Sequence, residues 1–141
     1  LSWKNLKKIE EIAGKEHLVL DLSCRKKDDQ YFIVTDRWQH FTKEKITTEL
    51  LDRLSSYCDE FLIHAADVEG KCQGIEEDLV RLLGDWGKIP ITYAGGISDY
   101  QDITHIKEIG DGRINITIGS ALDLFGGNLN YETVLKYVQD V

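Results

Sequence analysis

Apolar residues at Trp3, Leu6, Ile9 and Ile12 recur every three positions, which predicts an amphipathic helix over 1–14. Ser2 fits its N-cap and Gly14 its stop. At 17–23 the period changes. Leu18, Leu20 and Leu22 alternate with Val19, Asp21 and Ser23, and this predicts a strand with one apolar face. The stretch 24–43 is a long polar connection in which YFIV reads as a short excursion strand. Helical spacing returns at 46–57, with Ile46, Leu50, Leu51 and Leu54 on one side. The pattern then repeats: strand 60–66, helix 75–83, strand 89–93, helix 99–109, strand 113–118, a short helix at 121–125 and a last helix at 131–138.

One helix followed by four strand–helix units predicts a parallel sheet with right-handed crossovers. The last three strands repeat at roughly the 31-residue period of a (βα)8 barrel, whose eight units take about 250 residues. At 141 residues the chain reads as one unit, half a barrel by length, with no linker and no internal domain boundary. An open doubly wound sheet is the competing architecture, but it carries its glycines in the first strand–helix turn. Here they follow the third and fourth strands.

Net charge is −8, and a surface this acidic repels polyanions, which argues against nucleic-acid and anionic-membrane partners. No apolar run approaches the ~20 residues that cross a bilayer, and no secretory leader is visible. Cys24, Cys58 and Cys72 are odd in number and lack zinc-site spacing, so a disulfide framework and a structural metal are both disfavoured and a reduced cytoplasm is expected. There is no methionine in the chain, which reads as a processed, trimmed or partial polypeptide.

A small anion remains compatible with that charge, because backbone amides bind phosphate locally. Strand three ends in AGGIS (94–98) and strand four in IGSAL (118–122). Side-chain-free amides after adjacent strands, with a short helix after the second, favour a phosphate cradle; close strand–helix packing explains either turn alone. Asp21 places a carboxylate on an otherwise apolar strand, near a barrel's mouth. It is either an acid–base group or a structural ion pair with Arg25 or a lysine. His64 reads as a core or supporting residue. Asp67 and Glu69 either line the mouth or cap the next helix. Trp38 either stacks on a ligand ring or pins the excursion strand. Arg25 and Lys26 either meet a second anionic group or are simply solvated.

Taken together, LVLDLSCRK (18–26), FLIHAADVEGKCQGI (61–75), ITYAGGIS (91–98) and IGSALDLFGGNL (118–129) resemble the phosphoribosylformimino-5-aminoimidazole carboxamide ribotide isomerase family of histidine biosynthesis, in its eukaryotic form. The resemblance covers about 1–138. It implies the C-terminal half of a (βα)8 barrel, helix four and then strands five to eight with their helices, the N-terminal half being absent. It implies an Amadori rearrangement of a phosphoribosyl aminoaldose to an aminoketose, with neither cofactor nor metal. Asp21 is then the strand-five acid–base residue. Gly95, Gly96, Gly119 and Ser120 bind one phosphate, Trp38 covers the heterocycle, and Arg25 follows the catalytic strand. The chain departs from the bacterial pattern at Ser23, where that pattern has the aspartate, and at Ala65, where it has a threonine. Asp21 lies two positions earlier on the same face, one layer deeper.

Since strand one and its aspartate are absent, the chain alone is expected to be inactive and to associate with the missing half or with itself. Two other readings stand beside this one: the sister cyclase that makes imidazole glycerol phosphate, and a non-catalytic phosphate-binding half-barrel scaffold.

Overall fold

Ser2 Oγ accepts the amide of Asn5 at 3.3 Å, and Gly14 takes a left-handed φ of +86°. These two features bound α1 (Trp3–Ala13) as the sequence predicts. The structure, a computed structural model, describes residues 2–140. After α1 come β1 (Val19–Lys27), β2 (Gln30–Thr35), β3 (His40–Lys45), α2 (Thr48–Leu54), β4 (Glu60–Ala65), α3 (Glu77–Trp86), β5 (Ile91–Ala94), α4 (Tyr100–Ile109), β6 (Ile114–Thr117) and α5 (Tyr131–Asp140).

The six strands form one sheet in the order β3-β2-β1-β4-β5-β6. Strands β1, β4, β5 and β6 are parallel neighbours, each followed through its connection by a helix. This is the succession of strand–helix units expected, in a parallel-rich sheet consistent with part of a barrel. The connection 24–43 is more regular than the sequence suggests. β1 continues to Lys27 and turns back through Asp28 and Asp29, both at positive φ (52° and 61°), into β2 and then β3. Two successive left-handed residues make the tight turn whose twist matches an antiparallel hairpin, and aspartate tolerates that region. The alternating Tyr31, Ile33 on one side and Phe32 with Phe41 on the other then hold it together.

One sheet face is buried. Leu22, Cys24, Phe61, Ile63, Ala65, Ile91 and Tyr93 form a single core with Leu50, Leu51, Leu54, Leu79, Leu83, Ile103 and Ile106 of the helices. The opposite face carries most of the polar strand residues, with Leu62 and Ala94 among them, and lies in rows set by the register. Asp21, Leu62, Thr92 and Asn115 make one row; Ser23, His64, Ala94 and Thr117 make the next, nearer the carboxyl ends of the strands. A parallel sheet is ordinarily covered on both faces.

The sheet's edges are likewise bare. β2 pairs only with residues 24–27 of β1, so 19–23 carry a strand on one side alone among the described residues. β6 ends the sheet on the other side. Beside it, an apolar cleft of about 430 Å³ opens between β6 and α5, lined by Ile116, Ile118, Tyr131, Leu135 and Val138 among others. Leu135 and Val138 are each nearly half exposed.

Candidate functional site

The carboxyl ends of β1, β4, β5 and β6 share one rim, and every candidate residue lies on it or on the polar face below. Asp21 projects from the lower row. Its side chain is 59% exposed, so the carboxylate stands largely open to solvent. The reason is that the hairpin residue Trp38 reaches this face one row above, at Ser23, and leaves Asp21 open. Its partner is not Arg25 or a lysine, as an ion-pair reading predicts, but His64, whose Nδ1 lies 2.8 Å from Asp21 Oδ1. Ser23 pairs with His64 in register, so the contact runs diagonally between neighbouring strands.

Arg25 is not free to meet a second anion. Its Nε donates to Asp67 Oδ1 at 2.8 Å, its Nη1 donates to the Trp38 carbonyl at 3.1 Å, and its guanidinium stacks over Phe41. Asp67 also accepts the Lys26 amide at 2.9 Å. Burial alone raises the Asp67 pKa, but the hydrogen bonds from Arg25 and Lys26 outweigh it and hold the carboxyl below its ordinary value. Asp67 therefore does not cap α3; Glu76 holds that N-cap position, without a side-chain hydrogen bond. The Lys26 ammonium lies 3.9 Å from Asp78 and over the Tyr31 ring.

Trp38 sits at the tip of the β2–β3 hairpin, where Asp36, Arg37 and Trp38 all take positive φ. That bend folds the indole back over β1, and its Nε1 donates to Ser23 Oγ at 3.0 Å. An indole 39% exposed thus stands on the polar face next to His64's row. Its anchoring and its availability to a ligand ring are compatible, since one edge is tethered and part of the surface stays open.

The two glycine turns differ. Gly95 and Gly96 are buried at φ +134° and +78°. A Cβ on Gly96 would lie 1.9 Å from the Gly74 carbonyl oxygen, and the Gly74 amide donates to the Gly96 carbonyl at 3.0 Å. Close packing against the β4–α3 loop is thus sufficient reason for that glycine. Gly119 and Ser120 are exposed, and a Cβ on Gly119 would meet nothing within 4 Å. The short helix expected at 121–125 is a single 3-10 turn, Asp123–Phe125, so no helix begins behind Gly119. A left-handed Gly126 stops it after three residues. The same β4–α3 loop touches both turns: Gly74 bonds Gly96, and Cys72 Sγ lies 3.3 Å from Ser120 Oγ. Among the described residues the amides of Gly95, Gly96, Gly119 and Ser120 donate to no protein acceptor.

Two contributors escape sequence reading. Tyr93 is fully buried, and its hydroxyl donates to the Gly95 carbonyl at 2.8 Å while accepting the Glu76 amide at 3.0 Å. Burial, with the Glu76 carboxylate nearby, raises its pKa and keeps it protonated. It staples the first glycine turn to the start of α3. A tyrosine in an apolar strand carries no mark of this beyond its need for a polar partner. Glu69 Oε2, in the β4–α3 loop, is buried with no hydrogen-bond partner. The sequence places Glu69 near the mouth but gives no sign that one oxygen is left unsatisfied. Among the described residues no group of histidine, cysteine or acidic side chains is arranged to hold a metal ion. No helix among them is long and apolar enough to cross a membrane.

The chain is 50% identical to a chloroplastic protein of Medicago truncatula over 97% of its own length and 44% of that relative. It is 47% identical to a Yarrowia lipolytica protein over 85% of itself and 47% of the relative, and 43% identical to one from Saccharomyces cerevisiae over 89% and 50%. All three are named 1-(5-phosphoribosyl)-5-((5-phosphoribosylamino)methylideneamino) imidazole-4-carboxamide isomerase. The chain spans about half the length of the curated relatives it matches. The model of the family described as histidine biosynthesis protein matches residues 2–130, and with identities this high the chain belongs to that family.

Proposed function

We propose that this chain supplies the C-terminal half of a (βα)8 barrel, strands five to eight, in an aldose–ketose isomerase of histidine biosynthesis. The substrate is the phosphoribosyl-aminoimidazole carboxamide ribotide named for its relatives. The observation that carries the reading is the polar sheet face, with Asp21 in its lower row and two glycine turns on the rim above neighbouring strands.

In this reading the four unengaged amides of Gly95, Gly96, Gly119 and Ser120 hold one phosphate. Asp21 is two strands from β5 and three from β6, or roughly 10–15 Å at the ~4.8 Å strand spacing. That span suits a phosphorylated sugar, with its reacting carbons over β1 and its phosphate over β5 and β6. Trp38 covers the heterocycle, and Arg25 fixes the hairpin tip that carries Trp38.

The chemistry is a rearrangement without net redox change. An acid protonates the ribosyl ring oxygen as its bond to C1 breaks, and the nitrogen lone pair forms the C1=N bond. A base takes the C2 proton, the C2–H pair becomes C1=C2, and the iminium pair returns to nitrogen. Protonation at C1 with loss of the C2 hydroxyl proton gives the aminoketose. Proton transfers balance, so two acid–base groups suffice, one on this half at Asp21 and the His64 it holds, and one on the missing half.

The bare edges of 19–23 and β6, and the apolar cleft beside α5, are where we place that half, or a second copy of the chain. We place the protein in the cytoplasm, a reducing compartment in keeping with the buried thiols of Cys24 and Cys58. The test is isomerisation of the ribotide by the full-length polypeptide that contains this chain. Turnover by the full-length protein, loss of it in residues 1–141 alone, and a decrease of at least a hundredfold in Asp21→Asn are expected. Unimpaired turnover by 1–141 alone, or a full-length protein inert toward the ribotide, contradicts the proposal.

A further inference from the structure

Asp21 and His64 divide their work in a way the sequence does not suggest. His64 stands in the upper row beside Ser23, one layer nearer the rim than Asp21. Its Nδ1 is held by Asp21 Oδ1 at 2.8 Å, and its Nε2 makes no hydrogen bond among the described residues. The imidazole is 25% exposed and the carboxylate 59%. A contact this open contributes little to stability, which leaves the fold with small need of it.

Chemically the arrangement is specific. A carboxylate that accepts from Nδ1–H fixes the imidazole's tautomer and leaves a basic Nε2, and it stabilises the imidazolium formed when Nε2 takes a proton. The charged and polar groups around the pair are few. Glu60 lies one row lower on β4 and accepts from Thr92 Oγ1 at 3.2 Å, Arg25 is occupied by Asp67, and Trp38 occupies Ser23.

We infer that His64, through Nε2, is the group on this half that exchanges a proton with the substrate, and that Asp21 positions and polarises it from the layer below. This rests on the isomerase reading above. In the balanced step, Nε2 takes the C2 proton as the C2–H pair becomes C1=C2 and the iminium pair returns to nitrogen. The resulting imidazolium then gives a proton to C1. Ring-oxygen protonation and removal of the C2 hydroxyl proton fall to the second acid–base group. The assignment also accounts for Ser23 in the upper row on β1. A proton-transfer group already stands beside it on β4, and Ser23 is left to tether Trp38.

The experiment uses the full-length protein with the ribotide as substrate, and compares wild type, His64→Ala and His64→Asn. Asparagine retains a donor where Nδ1 meets Asp21 but has no base. Both variants are expected to keep the wild-type thermal midpoint within a few degrees. Both are expected to lose about 10²–10⁴-fold in kcat with KM changed less than about threefold. Added imidazole is expected to raise His64→Ala turnover at least tenfold, and substrate deuterated at C2 to slow that variant more than wild type. Activity of His64→Asn within fivefold of wild type overturns the proton-transfer role, because a donor to Asp21 would then be enough. A loss in His64→Ala that imidazole does not restore overturns it as well. Those failures leave wild-type turnover intact and so spare the isomerase reading; a wild-type protein inert toward the ribotide overturns both.

Discussion

Arg25 Nε and Asp67 Oδ1 meet at 2.8 Å and join the far end of β1 to the loop that follows β4. The same guanidinium holds the Trp38 carbonyl, so one ion pair ties together the hairpin tip, β1 and the loop that touches both glycine turns. Because the Asp67 carboxyl is held below its ordinary value, its contribution to stability is complete above about pH 4 and is lost as the pH falls through the lowered folded-state value. Urea midpoints of wild type should therefore fall more steeply on acidification than those of Asp67→Asn. Trp38 fluorescence anisotropy should be lower in the variant at neutral pH.

Tyr93 predicts a cost separable from ligand chemistry. Tyr93→Phe removes the donor to Gly95 and the acceptor for the Glu76 amide while keeping the ring in the core. Leaving one buried and one part-buried backbone group without that partner should cost about 1–3 kcal/mol in urea unfolding. The first glycine turn should also show faster amide exchange.

The two glycine turns should answer differently to alanine. In Gly96→Ala the added Cβ meets the Gly74 backbone at a positive φ, so stability should fall by more than ~2 kcal/mol. At Gly119 the space is open and φ is ordinary, so Gly119→Ala should change stability by less than ~0.5 kcal/mol. If its amide binds phosphate, however, KM for the ribotide should rise at least severalfold. Thermal unfolding and steady-state kinetics on the same two variants read out both effects.

Thiol chemistry follows from burial. The Cys24 thiol is pushed up to about 12, chiefly by burial, with Glu76 and Asp67 adding to it. The Cys58 thiol is raised as well, again by burial first. A disulfide reagent at mildly alkaline pH should modify Cys72 rapidly and the other two only on unfolding. A thiol raised this far favours its neutral form in the fold. Its contribution is therefore complete below the ordinary cysteine value and is lost as pH rises through that value toward 12.

Much of this fold is legible in the sequence because its signals are local. The caps at Ser2 and Gly14, the alternation at Leu20–Leu22 and the helical leucines of α2 and α3 each act within a few residues. The hairpin is less visible because its turn is Asp-Asp, not a glycine pair, and because β3, HFTKEK, is too polar to show alternation. The short helix at 121–125 misleads because apolar spacing says nothing of the left-handed Gly126 that stops it.

The candidate site divides along the same line. Residue types at strand ends point to the rim, and the structure brings Arg25, Trp38 and both glycine turns to it, with Asp21 on the face below. Pairings between strands distant in sequence are another matter. Asp21 with His64, Arg25 with Asp67 and Tyr93 with Gly95 all depend on register or on loop paths, which one sequence does not encode locally.

The central claim is that the turns after β5 and β6 hold one anion together. Amide chemical shifts of the isotopically labelled full-length protein, titrated with inorganic phosphate, test it most directly. The account predicts that Gly95, Gly96, Gly119 and Ser120 move together along a single saturation curve. Movement at one turn with the other silent, or two curves with distinct midpoints, would contradict it.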